Sequence, residues 1–395
     1  GLFFLASPFG AFAEDDAKLL LQLNDNNGYY SGSGDYGRRG GQNVVYSTAS
    51  YLTKGYGLSV LGAYTDTTYN YVNESDKTNG DFHLNTAMDT TVSGFYILGG
   101  GGTNLWRIGL DLNLPTGHAS YNSQEENTVM TAPVTQDLVM MPSFGAGLNI
   151  APNVTLVHGF SEISTGGLGV RYQKSGSYTP TPSDSASPLS YTPGDWMMIF
   201  GSFEYTPSKE NQLLLDVSKT LSARDKQGPT EVLKQGDRYL TGAKYINTGA
   251  MDKTTYSFTY QWQDANQISS GSSGVVTQSR NANNNKAEVF VQDTHMQSEK
   301  LALNAIVGGK KVYANQMDVT DSYYVAGYAK VYAGGGFTYA ASKMLTVTFD
   351  LRLFELWSGT DPTEPSGITY RGGNMDLGFV YEFGGAPDNA QKPAK

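Results

Sequence analysis

The sequence contains no cysteine, four histidines among 395 residues, and charged side chains at only 16 %. Without thiols there is no disulfide scaffold, no thiolate metal site, no cysteine nucleophile and no covalently attached c-type haem. Lys and Arg number 27 against 37 Asp and Glu, a formal charge of −10. No basic stripe is therefore available to displace counterions from nucleic-acid phosphates. No window reaches the ~18 consecutive apolar residues of a membrane-spanning helix, and helical spacing of apolar residues is nearly absent. What the chain does have is 12 % aromatic residues, 27 of them Tyr, and 47 Gly. Many rings beside few charges is an unusual composition for an acidic protein in water.

Residues 1–13 read GLFFLASPFGAFA. An apolar run ends in Ala11-Phe12-Ala13, a small-x-small cleavage pattern, followed by Glu14-Asp15-Asp16. This is the form of the back half of a secretory signal peptide. A cysteine-free exported chain suits an envelope in which assembly does not depend on oxidation.

Beyond it, period-two alternation recurs. Trp106, Ile108, Leu110, Leu112 and Leu114 alternate with Arg107, Gly109, Asp111 and Asn113. Leu345, Val347, Phe349, Leu351 and Leu353 alternate with Thr346, Thr348, Asp350 and Arg352. The runs 211–223, 253–263 and 368–383 behave in the same way. Strands of soluble sheets average ~5–6 residues, whereas these match the ~9–11 needed by a tilted strand to cross a bilayer. One face is apolar; the other carries ions, as a wet interior would. Aromatics such as Tyr56, Tyr64, Tyr205, Tyr239, Tyr245, Trp196 and Trp262 fall near strand ends, where interfacial girdles lie.

Connections alternate in length. Short links fall at Lys54-Gly55, Gly99 to Gly102, Pro152-Asn153, Thr206 to Glu210, Asn247 to Lys253, Gln297 to Lys300 and Ser342-Lys343. Long polar segments separate them. The reading is an all-β, antiparallel up-and-down transmembrane barrel of about 16 strands, with short periplasmic turns and long extracellular loops. Segments 84–98, 136–150, 153–173 and 322–340 each count as one strand. The last two are long and hold glycine runs, Gly166-Gly167 and Gly334 to Gly336, that read as bulges or extra turns. Fourteen or eighteen strands stay open. The expected division is a signal remnant at 1–13, a single barrel at 14–383 and a polar periplasmic tail at 384–395.

The last strand contains Asp376, Gly378, Tyr381 and Phe383, spaced as polar, any, Gly, any, any, aromatic, any, aromatic. It resembles the C-terminal β-signal of bacterial outer-membrane barrels, and the chain is similar to the porins among them. The resemblance implies outer-membrane location, insertion by a barrel-assembly machinery, contact with lipid and lipopolysaccharide, and in many cases a homotrimer. It implies no cofactor.

Catalysis needs a His close to a Ser or carboxylate. His118-Ala119-Ser120 is the one such spacing, in a segment that is loop-like beyond Pro115, so no enzyme activity is expected. No paired His spacing suggests a metal. Transport remains. Parity points Arg107, Asp111, Glu204, Asp216, Arg238, Lys244, Glu288, Lys330, Asp350 and Arg352 into the lumen, where opposed charges would sort solutes. The third long loop, residues 115–135, contains Glu125 and Glu126 and is the candidate constriction. Tyr324, Tyr328 and Tyr332 form a candidate aromatic track for solute. The expected function is a porin for passive diffusion of small hydrophilic solutes or ions. Two alternatives stand beside it. Leu112-Asn113-Leu114-Pro115-Thr116-Gly117 is similar to a short piece found in uptake barrels for hydrophobic and aromatic compounds. A conduit barrel sheathing a partner, such as an electron carrier, is the other.

Overall fold

A computed structural model describes residues 17–33, 38–72, 79–99, 103–120, 145–179, 189–269, 274–321, 324–360 and 367–383. The expected signal remnant at 1–13, the expected polar tail at 384–395, Glu125 and Glu126 lie outside the described residues. Strands follow one another antiparallel: β1 (Lys18–Ser33), β2 (Arg39–Leu52), β3 (Tyr56–Val72), β4 (Asn79–Ala87), β5 (Thr90–Leu98), β6 (Asn104–Leu114), β7 (Asn149–Ser161) and β8 (Ser164–Gln173). A short β9 (Tyr191–Thr192) precedes β10 (Trp196–Ser208) and β11 (Asn211–Ser222). Two short strands follow, β12 (Arg224–Gln227) and β13 (Thr230–Lys234), then β14 (Arg238–Thr248) and β15 (Asp252–Gln263). After β16 (Gln267–Ser269) and β17 (Val275–Thr277) come β18 (Lys286–Met296), β19 (Leu301–Val312), β20 (Tyr328–Ala340), β21 (Leu345–Ser358) and β22 (Thr369–Phe383).

The wall closes where β22 pairs with β1, from Leu19 opposite Phe383 to Ser33 opposite Thr369. β4 and β5 both pair with β3 and share one place in the wall, so the closed barrel has 16 strand positions. Alternation explains why the sheet curls. On β6, Trp106, Ile108 and Leu110 are 46 %, 49 % and 43 % exposed on the outside, while Arg107, Gly109 and Asp111 turn inward. Leu351, Leu353, Phe379 and Phe383 repeat the pattern on β21 and β22. An outer face this apolar is stable only against hydrocarbon, and closure leaves no strand edge unpaired within it.

The structure corrects the strand bounds. Pro152-Asn153 has the composition of a turn, yet both lie inside β7, opposite Leu110 and Gly109. The true turn is Glu162-Ile163, closed by a 2.7 Å contact between the Ser161 and Ser164 hydroxyls. It carries neither Gly nor Pro. Segment 153–173 is thus a hairpin, and 136–150 yields only the first residues of β7 among the described ones. Segment 84–98 breaks at Met88-Asp89 into β4 and β5. Gly166-Gly167 and Gly334 to Gly336 are neither bulge nor turn; they sit in regular ladder. Trp196 stands on the inward parity of β10 with Met198 and Phe200, so it is not a girdle residue. Tyr239 and Trp262 do face outward near the loop ends, stacked at 4.7 Å.

At the long-loop end a separate five-stranded sheet, in the order β9-β12-β13-β16-β17, is assembled from three different loops. Asp225 pins it, accepting from the Tyr191 phenol and, at 2.7 Å, from the Gly194 N–H.

Candidate pore lining

Glycines set how the lumen is lined. Tyr30 stands opposite Gly40, Tyr370 opposite Gly32, Phe354 opposite Gly372, Tyr332 opposite Gly308, Phe200 opposite Gly169 and Phe95 opposite Gly57. In each pair a Cβ on the glycine would lie no more than 2.9 Å from the ring. The rings therefore lie against the wall, over their glycine partners. Arg352 over Gly334, Asp216 over Gly242 and Asn153 over Gly109 follow the same rule.

The inward charges fall into groups. Asp111 pairs with Arg171 at 3.2 Å, and Arg107 donates to Asn153 Oδ1 at 3.3 Å. The Asn153 amide in turn reaches Asp111 at 3.5 Å, and the Arg107 guanidinium lies 4.5 Å over the Phe95 ring. Glu204 accepts from Gln212 at 2.5 Å. Asp350 and Asp376 are direct cross-strand partners, with Arg352 one inward position along. Asp216, Arg352 and Asp376 are exposed although they point away from lipid. Lys244 stands opposite Leu214, and Arg238 opposite Thr220 at the loop end of the lumen. The structure thus joins Arg107 with Asp111, and Asp350 with Arg352, but leaves Arg238 and Lys330 on separate strands.

Nearer the loops, one side of the lumen is packed with apolar side chains. Tyr30, Val44, Tyr69, Met88, Val312, Tyr328, Phe354, Leu356, Ile368 and Tyr370 form one cluster, none more than 8 % exposed. They come from consecutive wall strands, β19 to β22 and β1 to β3, with Met88 at the β4–β5 break and Ile368 just before β22. Within this region the aromatic track takes a different form. Tyr328 is buried in the cluster, Tyr332 lies over Gly308 and donates to Glu288 at 2.8 Å, and Tyr324 precedes the strand in the loop. Lys330 is 8 % exposed, its ammonium 4.4 Å from the Phe354 ring.

The Leu112 to Gly117 piece is a structural knot. At the β4–β5 break Asp89, 1 % exposed, accepts from the Gly117 N–H at 2.9 Å, the Ala146 N–H at 2.8 Å and the Asn113 amide at 2.7 Å. Thr116 Oγ1 accepts from the Thr90 N–H at 2.8 Å. Gly117 and Ala146 are thereby both held at the wall. A Cβ on Gly145 would collide with the backbone of His118 and Ala119, and Gly145 has a φ of +52°, which together demand glycine there.

Sequence reasoning missed Arg171, Asn153 and Lys310. Asn153 was hidden by reading Pro152-Asn153 as a turn, and Arg171 by reading 153–173 as one strand, which loses the inward face of the hairpin. Lys310 lay beyond the expected end of its strand; its parity with Asn304 and Ile306 would have found it.

His83 lies 2.7 Å from Asp66, His158 2.7 Å from Asn104 and His295 2.5 Å from Asp252, all on outward faces rather than in the lumen. Among the described residues no three His, Asp or Glu gather as a metal-ligating set.

No protein-family description matches the sequence, and no curated protein matches it. Solved structures resemble it in shape only. A bacterial polysaccharide outer-membrane secretin has a TM-score of 0.47 and 7 % identity, covering 94 % of this chain and 100 % of that one. The toluene transporter TodX of Pseudomonas putida has a TM-score of 0.45 and 10 % identity, covering 95 % and 92 %. An outer-membrane channel from P. putida F1 has 0.41 and 9 %, covering 95 % and 99 %. At these scores none carries a functional argument. The molecule's own geometry, a closed barrel with an apolar belt outside and ions inside, is that of a transmembrane β-barrel.

Proposed function

We propose that the chain is an outer-membrane channel that lets small hydrophilic solutes or ions diffuse through its lumen. The supporting observation is the exposure of Asp216, Arg352 and Asp376 on inward faces of β11, β21 and β22, which is solvation from inside the wall. A barrel of this strand number encloses water unless something fills it. The purified protein in a planar bilayer should give steady, ion-conducting steps, and a barrel that stays closed would overturn the reading. No catalytic role is assigned to any residue.

A second reading, selective uptake of hydrophobic or aromatic compounds, is favoured by the apolar cluster of the upper lumen. Its partners would be apolar solutes rather than ions, and flux of a neutral arene into liposomes without ionic steps would select it. In either case the proposed setting is the same: lipid and lipopolysaccharide around the belt, and insertion by the assembly machinery through Asp376, Gly378, Tyr381 and Phe383. A homotrimer is the proposed oligomer for the porin reading.

A further inference from the structure

The upper lumen carries an arc of cations. Arg238 on β14, Lys286 on β18, Lys310 on β19 and Lys330 on β20 all stand on inward parity near the loop ends of their strands. The register places them side by side. Lys286 is opposite Gln261 and Val312, while Lys310 is opposite Glu288 on one side and Lys330 on the other. Like charges directly across an antiparallel pair repel, so the Lys310–Lys330 pairing weakens the wall rather than holding it. Among the described residues Glu288 is the one carboxylate on the inward faces of β14, β15 and β18 to β20, and it also accepts the Tyr332 phenol at 2.8 Å.

Exposure is graded along the arc. Arg238 and Lys286 are exposed, Lys310 is half-buried, and Lys330 is buried above Phe354. Two aromatic residues adjoin it: the half-buried Tyr332 lays its ring over Gly308, and the half-buried Phe290 flanks the same glycine from the other side with its Cβ. Lysine and arginine lining a pore favour anions, and ring faces favour an apolar body. The chain's overall charge of −10 would by itself predict the opposite preference.

We infer that the upper lumen selects small organic anions with an apolar body, the class of arene carboxylates, over cations. The inference rests on the channel reading and goes beyond it in naming the solute class. The test is a reversal-potential measurement on the whole barrel in a salt gradient, followed by benzoate and acetate added on the loop side. The wild type should prefer chloride to potassium. Replacing Arg238→Gln, Lys286→Gln and Lys310→Gln together should lower that preference about tenfold, the lower end of what charge-lined clefts do to local ion concentration. Lys311→Gln, on the outward face of the same strand, should leave it unchanged. Benzoate should block the wild-type current more strongly than acetate, and the triple variant should lose the difference. A cation-preferring wild type, or an equal effect of Lys311→Gln, would overturn the arc as selector. Equal block by benzoate and acetate would overturn the apolar body. A complete absence of steps would instead sink the channel reading itself.

Discussion

Glycine 308 decides where the Tyr332 ring can lie. Gly308→Leu should drive the ring off the wall and into the lumen, reducing single-channel conductance while the barrel still assembles; unchanged conductance would show that the bore is set elsewhere. Asp89 works differently, as a buried acceptor for three half-buried donors. Asp89→Ala takes the acceptor from the Gly117 and Ala146 N–H groups, and its measurable result should be faster proteolysis of the segment between Pro115 and Leu148. The two residues were not equally legible. Parity alone places Arg107, Asp111, Asp350 and Arg352 inside, because period two assigns a face before any contact is known. Asp89 gives no such signal: it lies at a break in the ladder, where period two fails, and its role depends on Ala146, far along the chain.

The strands that alternate cleanly, β6, β15, β21 and β22, are the ones whose existence and faces could be read from composition. The β7–β8 hairpin could not, because its turn lacks Gly and Pro while the strand before it contains Pro152. Turn chemistry is a tendency, and pairing with β6 overrides it. β22 carries a prediction of its own. Tyr381 and Phe383 have ring centroids 4.3 Å apart on the outer face, and Phe383 stands at the seam opposite Leu19. Phe383→Ala should lower the yield of assembled barrel in the membrane without altering the conductance of the barrels that do form. The loop ends invite a test by pH. Burial pushes Asp195 up, but the Tyr172 phenol, the Ser175 N–H and the Lys174 ammonium outweigh this and hold its carboxyl below the usual value. A depressed folded-state value means that stabilisation is present above the unfolded carboxylate pKa and lost as pH falls through the folded one. Proteolysis around Asp195 should therefore speed up on acidification, and Asp195→Asn should abolish that dependence.

As a whole, the molecule divides its few charges from its many rings by curvature: one sheet, bent until its two faces meet two solvents. The belt predicts that Leu351→Arg, on the outer face, costs ~2–4 kcal/mol if near the bilayer midplane, whereas Thr348→Arg, inward on the same strand, costs far less. Urea unfolding from bilayers would measure both. Unboiled protein should also migrate differently from boiled protein on a gel, because a hydrogen-bonded ring resists detergent. The closure itself bears on how the protein can be made. The seam between β1 and β22 joins opposite ends of the described chain, so the last ladder to form has the greatest sequence separation of all and the slowest search. Until it forms, two long strand edges are open and ready to pair with any other chain. The dangerous interval in this protein's life is therefore its assembly, and an unassisted chain in water would be expected to aggregate before its two edges found each other.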